Sequence, residues 1–152
     1  MCNLNKKIRL RLITFLFFMS ANSCFASSSA VLVSAKHSKI EKINIIDIRR
    51  LYLRMPVSKG AALINPGINP VINHSDSEIY QAFLKNIMRM TEKGYRRKLI
   101  KRMFRQGASK IKEISDKEQL INYLKSHPKY ITIMSEKNAA LSDDVIVIQK
   151  LW

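Results

Sequence analysis

A continuous apolar segment near the start of the chain is the feature that most constrains its fold. Residues 30–35 read Ala-Val-Leu-Val-Ser-Ala, a run that is rich in β-branched side chains and contains no charged residue. A run of this length and type is typical of a strand that is buried on both faces. The sequence therefore predicts a β-sheet that is covered by helices on its two sides.

The rest of the chain continues an alternation of strands and helices. We predict a helix over 45–55 with Asn44 as its cap, and a second one that opens at the capping-box pair Ser115 and Glu118 and ends before His127. Apolar runs predict four further strands, over 61–64, 71–73, 130–134 and 145–148. A polar segment over 135–144 separates the last two. This order predicts a single α/β layered domain with a mixed β-sheet flanked by helices.

The segment from Asn73 to Gly107 predicts a polar turn followed by two helices. Ser75 and Glu78 have the spacing of a capping box, in which the serine oxygen accepts from an early backbone N–H group, so we expect the first helix to begin there. A break over 91–94 separates it from the second helix. The core face of the first helix is a wide apolar stripe: Ile79, Tyr80, Phe83, Leu84, Ile87 and Met88.

The second helix of this pair is heavily basic. Its apolar residues are expected to face inward: Tyr95, Leu99, Ile100, Met103 and Phe104. The rest of its surface is cationic, with Glu92 as the only acid, and the basic set is Lys93, Arg96, Arg97, Lys98, Lys101, Arg102 and Arg105. Two interpretations remain open: the set is a docking face for an acidic partner or an envelope polymer, or it is a solvated outer face.

The first 26 residues have the pattern of an export signal. Basic residues precede a mostly apolar run over 12–19, and small residues stand at Cys24 and Ala26, the positions that a signal peptidase reads. The run is shorter than the roughly 20 residues that cross a bilayer as a helix. We therefore predict cleavage after Ala26 and a periplasmic domain over 27–152 with no transmembrane segment, with a retained signal or a lipid on Cys24 as the alternative.

Cysteine usage follows from that prediction. Both cysteines of the chain, Cys2 and Cys24, lie in the predicted signal. The mature domain would therefore have no disulfide and no thiol ligand, and its stability would depend on packing in a regular layered fold.

The chain is strongly basic, with 27 Lys and Arg residues against 11 Asp and Glu residues and a net charge of +16. Removal of the signal would leave 23 basic and 11 acidic residues, a net charge of about +12. A field of this size attracts anionic counterparts. Export favours phosphate-bearing polymers, anionic lipid headgroups, acidic partner proteins or a small oxyanion over nucleic acid, and a general effect on solubility is the alternative.

Residues with catalytic or metal-binding chemistry are scattered along the chain. The sequence has no G-x-S-x-G motif and no phosphate-binding glycine loop, and its three histidines, His37, His74 and His127, lack partners at metal-ligand spacing. We therefore predict a non-enzymatic protein without a metal or a cofactor.

Several weak motifs follow one another in a characteristic order: Ile48-Arg49-Arg50-Leu51-Tyr52-Leu53, Gly60, Pro70-Val71, Ser75-Asp76-Ser77 with Phe83, Tyr95, Phe104 with Gly107, and Tyr130-Ile131-Thr132-Ile133. Together they resemble one lobe of the phosphate-type periplasmic substrate-binding proteins of ABC transporters, with the type II fold of that family. The resemblance covers nearly the whole predicted mature chain. It implies a transport-related module that binds phosphate or another oxyanion at a helix N-terminus, where N–H groups and the helix dipole favour an anion.

By position, the resemblance assigns the oxyanion to Ser75, Asp76 and Ser77, while Asn73 stands where the family has an arginine. These receptors close two lobes over a ligand, and the predicted mature chain supplies one. Three hypotheses follow: an exported, non-enzymatic module that holds phosphate weakly, an envelope interaction protein that has lost its ligand, or a receptor whose cleft is completed by a second chain. In the second, an acidic partner would bind the basic helix through Lys93, Arg96, Arg97, Lys101 and Arg105.

Overall fold

The fold is built on a five-stranded mixed β-sheet. A computed structural model describes residues 29–64 and 66–152, and the predicted signal over 1–26 lies outside them. The strands lie in the order β3-β2-β4-β1-β5. Strand β2 runs parallel to β3 and β4, whereas β1 runs antiparallel to β4 and β5. The strands are β1 (Ala30–Ala35), β2 (Asn69–Asn73), β3 (Lys112–Ile114), β4 (Tyr130–Ser135) and β5 (Val145–Lys150).

Helices connect these strands. Five of them begin at a side chain that accepts a hydrogen bond from the first turn, and these caps are Asn44, Asp76, Thr91, Asp116 and Ser135. In chain order the described helices are α1 (Ile45–Tyr52), α2 (Lys59–Ile64), α3 (Ser77–Phe83), a π-helical turn (Leu84–Met88), α4 (Glu92–Gln106), α5 (Lys117–Ser126) and α6 (Glu136–Ala140).

Strand β1 is buried along its whole length because helices cover both faces of the sheet. On one face Leu32 belongs to a cluster with Ile48 of α1 and Tyr95 of α4. On the other face Val33 belongs to a cluster with Leu120 of α5. The predicted sheet, covered by helices on two sides, is confirmed.

The predicted apolar stripe is also confirmed, since all six of its residues are buried. Phe83 lies at its centre, with its ring centroid 4.8 Å from that of Tyr52 and 6.2 Å from that of Tyr95. The stripe extends through α3 into the π-helical turn, which ends at Arg89 in the left-handed conformation (φ 54°). This turn redirects the chain into α4.

The short elements depart from the prediction. Residues 61–64, predicted as a strand, lie in α2, where the Ala62 N–H donates to the Ser58 carbonyl at 2.9 Å. That strand prediction is wrong because adjacent alanines favour a helix. Strand β3 was not predicted, since three residues with one buried side chain, Ile114, carry no periodic pattern and form a strand only by pairing with β2.

One further helix and one helix boundary also differ from the prediction. Helix α6 lies in the polar segment expected between the last two strands, where the Ser135 hydroxyl accepts from the Asn138 N–H at 3.3 Å. Helix α1 ends at Tyr52 instead of residue 55, because Arg54 adopts a left-handed conformation (φ 54°) that ends the helix before Pro56.

Candidate functional site

The predicted oxyanion turn leads from β2 into α3. Asn73 is buried, and its amide oxygen accepts from both the N–H group and the hydroxyl of Ser75, at 2.9 and 2.6 Å. Its amide nitrogen donates to the carbonyl of Ile133 at 3.1 Å. The Ser75 hydroxyl is therefore held by Asn73 and does not cap α3.

Asp76 caps α3 in place of Ser75. One carboxylate oxygen accepts from the Ile79 N–H at 3.1 Å, and the other lies 3.5 Å from the amide nitrogen of Asn138. Ser77 is the exposed first residue of the helix. The predicted capping box starting at Ser75 is therefore wrong by one residue, because the buried Asn73 amide takes the serine hydroxyl.

Carboxylates surround the depression beside this turn. Asp76, Glu78 and Glu136 all line it, with Lys137 as the one cation among its described lining residues. The Lys150 ammonium lies 3.0 Å from Glu136 and holds the pKa of that carboxyl below its usual value, so Glu136 is ionised at neutral pH. The fold thus brings Ser75, Asp76 and Ser77 together on one turn, but negative charge around them disfavours an oxyanion. Their oxyanion role stays a prediction.

The basic helix α4 is fixed to the core by one face. Tyr95 is buried, and its hydroxyl donates to the Tyr52 carbonyl at 2.8 Å. The Tyr52 hydroxyl donates in turn to the carbonyl of Val71 at 3.1 Å. Burial raises the pKa of both phenols, so both stay protonated and able to donate. These bonds tie α4 to α1 and α1 to β2.

Leu99 is partly buried against the same core, as predicted, but the three remaining large apolar residues of α4 face solvent. Ile100 is 53% exposed, Met103 36% and Phe104 85%, so the prediction that these three residues face inward is wrong. Tyr95 and Phe104 are nine residues apart, which is two and a half turns at about 3.6 residues per turn. Burial of Tyr95 therefore directs Phe104 to the opposite side. That offset was the signal in the sequence that could have identified Phe104 as exposed.

The cations of α4 share this solvent-facing side. Glu92 pairs with Arg96 at 2.9 Å, which raises the pKa of the Arg96 guanidinium. Within the described ranges, six of the cations have no carboxylate partner: Lys93, Arg97, Lys98, Lys101, Arg102 and Arg105. We refer to the solvent-facing residues as the α4 outer surface, defined as Lys93, Arg96, Arg97, Ile100, Lys101, Phe104 and Arg105.

Depressions lie on both flanks of α4. One is bordered by Glu92, with Lys93, Arg96, Arg97 and Ile100. The other lies between α4 and the segment after α1, where Leu53 and Met55 meet the cations Lys98, Lys101, Arg102 and Arg105. No local pattern indicates Leu53 and Met55 at this site, because only the packing of α1 against α4 brings the two segments together.

The described residues show neither a metal site nor a membrane-spanning helix. Residues 29–64 and 66–152 contain no group of three or more His, Cys, Asp or Glu residues placed to hold a metal ion. Within the same ranges, no helix combines the length and the apolar character needed to cross a membrane. No model of a known protein family and no curated protein sequence matches this chain.

Proposed function

We propose that this protein is an exported, non-enzymatic binding module that docks a polyanionic partner of the cell envelope through the α4 outer surface. The observation that carries the proposal is the set of α4 cations without carboxylate partners among the described residues. Like charges at adjacent turns of one helix repel and destabilise it. An anionic partner relieves that repulsion, so binding is favoured by the same charges that oppose folding.

The way α4 is anchored supports docking without rearrangement. Thr91 caps its start by accepting from the Gly94 N–H at 3.2 Å, and Gly107 ends it in the left-handed conformation (φ 61°). The buried Tyr95 hydroxyl fixes its rotation at 2.8 Å from the Tyr52 carbonyl. A surface that is already ordered loses less conformational entropy when it binds.

The resemblance to one lobe of a phosphate-type substrate-binding protein supports a binding module over an enzyme. Within that resemblance, a weak phosphate site at Ser75, Asp76 and Ser77 is the second candidate function. Exposure of Ser77 at the start of α3 favours it. The carboxylates of Asp76, Glu78 and Glu136 oppose it, so we rank it below docking through α4.

Salt-dependent retention on a polyaspartate resin tests the docking function. We expect Arg97→Glu/Lys101→Glu to elute at much lower salt than the unmodified protein, because it reverses two cations on the α4 outer surface. The matched control is Lys39→Glu/Lys42→Glu, which changes the net charge equally at two exposed lysines outside α4 and should elute close to the unmodified protein. Equal losses for both variants would overturn the proposal, since net charge alone would then govern retention.

Calorimetric titration with inorganic phosphate tests the second candidate separately. We expect no binding heat at millimolar phosphate, because the carboxylates beside the turn repel the anion. Heat that disappears in Ser77→Ala would instead place a phosphate site at the start of α3.

A further inference from the structure

The α4 outer surface combines its cations with an apolar ridge. Ile100 and Phe104 are one turn apart and 53% and 85% exposed, so their side chains are neighbours on the solvent-facing side. Lys93, Arg97 and Lys101 follow one another at four-residue spacing and form a row beside this ridge. We propose that the polyanionic partner is the surface of an anionic lipid bilayer. This inference rests on the proposed docking function of α4 and names its partner.

The apolar ridge distinguishes a bilayer from a purely polar polyanion. A polymer that offers only phosphate or carboxylate groups gains nothing from Phe104, which remains in water when such a polymer binds. At the boundary between headgroups and acyl chains, an aromatic or aliphatic side chain leaves water while neighbouring Lys and Arg side chains reach the phosphates. Phe104 and Ile100 therefore contribute to binding where an apolar layer and anionic groups meet, as they do at a bilayer surface.

The dimensions of α4 fit a helix that lies in the plane of the bilayer. Its 15 residues are about 22 Å long at a rise of about 1.5 Å per residue, which is less than the roughly 30 Å hydrocarbon thickness. In the docked orientation the Tyr95 face points back to the protein core and the Phe104 face points to the lipid. The cationic row then lies at the level of the headgroup phosphates.

Charge complementarity selects this partner over a second copy of the chain. Two copies would bring the unpaired cations of both α4 helices together, and each chain has a net charge of +16, or about +12 without the predicted signal. Like charges of this density repel. An anionic lipid surface instead attracts each basic side chain that lies close to it.

Co-sedimentation with lipid vesicles tests the inference. The protein should bind vesicles of phosphatidylglycerol mixed with phosphatidylcholine, and it should not bind vesicles of phosphatidylcholine alone. Phe104→Ala should weaken partitioning about tenfold, while Arg97→Glu/Lys101→Glu should weaken it by more than tenfold. The matched control for Phe104 is Leu141→Ala, which removes an apolar side chain that is 70% exposed outside α4 and should leave partitioning unchanged.

A second experiment measures how deeply the side chain at position 104 enters the bilayer. We expect Phe104→Trp to show a blue-shifted emission when phosphatidylglycerol vesicles are added, and quenching by brominated acyl chains. The unmodified protein, whose single tryptophan is Trp152, provides the baseline. An unshifted, unquenched signal from Phe104→Trp in protein that has sedimented with vesicles would overturn the inference.

The outcomes separate this inference from the proposed function. Retention on polyaspartate that depends on Arg97 and Lys101, without vesicle binding, would overturn the bilayer as partner and leave docking of an acidic protein as the function of α4. Vesicle binding that Phe104→Ala does not weaken would also overturn the inference, because charge alone would explain it. If the unmodified protein binds neither the polyaspartate resin nor the phosphatidylglycerol vesicles, the proposed function itself is overturned.

Discussion

The Tyr95 hydroxyl lies 2.8 Å from the carbonyl oxygen of Tyr52 and donates a hydrogen bond to it. Because this donor lies inside the core, it determines which side of α4 is buried. The opposite side, which carries Phe104 and the cations, is then exposed along the helix. The buried bond and the exposed docking surface are two consequences of one helix rotation.

We expect Tyr95→Phe to lower the free energy of unfolding by about 1–2 kcal/mol, because the Tyr52 carbonyl loses a buried donor. Urea denaturation measures the change. Tyr80→Phe is the control: its ring is also buried, but its hydroxyl makes no hydrogen bond within the described residues, so a smaller loss is expected. Equal losses for the two variants would contradict the assigned contribution of the Tyr95–Tyr52 bond.

The two phenylalanines of the helix pair, Phe83 of α3 and Phe104 of α4, should respond very differently to truncation. Phe83 packs against the rings of Tyr52 and Tyr95, so Phe83→Ala should cost about 3–5 kcal/mol of stability. Phe104 is 85% exposed, and Phe104→Ala should change stability by less than about 0.5 kcal/mol. Thermal unfolding of both variants distinguishes the exposed Phe104 of the structure from the inward-facing residue that the sequence predicted. A large loss of stability for Phe104→Ala would instead indicate that Phe104 faces inward.

Replacement of the two candidate caps should show which residue begins α3. Asp76→Ala should cost about 1 kcal/mol, since the Ile79 N–H loses its acceptor. Ser75→Ala should cost less, because the Asn73 amide oxygen keeps its bond to the residue 75 N–H at 2.9 Å. Chemical denaturation provides both values. A greater cost for Ser75→Ala would assign the cap to Ser75.

Asp47 should make stability depend on acid pH. Its carboxylate is buried and accepts from the Ser58 N–H at 2.9 Å and the Ser58 hydroxyl at 2.8 Å. The backbone hydrogen bond from Ser58 is the main cause that lowers the Asp47 pKa below its usual 3.8. A folded-state pKa below the unfolded value gives stability that is present above about pH 3.8 and is lost as the pH falls through the folded-state value.

Asp47→Asn tests this dependence, because the amide cannot titrate. We expect the variant to be less stable at neutral pH, by about 1–2 kcal/mol for the altered hydrogen bonds of a buried acceptor. The difference from the unmodified protein should shrink as the pH is lowered below about 3.8. Denaturation curves measured at several pH values provide the check. A difference that does not vary with pH would show that the Asp47 charge adds nothing to stability.

Long periodic segments could be predicted because their pattern needs no partner to be recognised. The apolar run at 30–35 is continuous, the stripe from Ile79 to Met88 repeats with the period of a helix, and both are buried as expected. Short segments could not be predicted in this way. Strand β3 exists through its pairing with β2, and α2 forms where a short apolar run also fits a strand.

Some features of the candidate site could likewise be predicted from the sequence, and others depend on the fold. Its cations and apolar residues can be recognised from the sequence alone. The nine-residue offset between Tyr95 and Phe104 places these two residues on opposite faces of a helix. The cap at Asp76 and the acidic surroundings of the predicted oxyanion turn could not be read locally. They depend on the Asn73 amide and on Glu136, which only the fold brings near Asp76.

By itself, the sequence determined the α/β class, the strand buried on both faces and the concentration of positive charge on one helix, because periodicity and composition are properties of local segments. Tertiary structure alone decided that Tyr95 is the residue buried against Tyr52 and that Phe104 and Ile100 are left in solvent among cations. The physical reason is that five apolar residues on two faces of α4 compete for one core, and the core contacts only one of those faces.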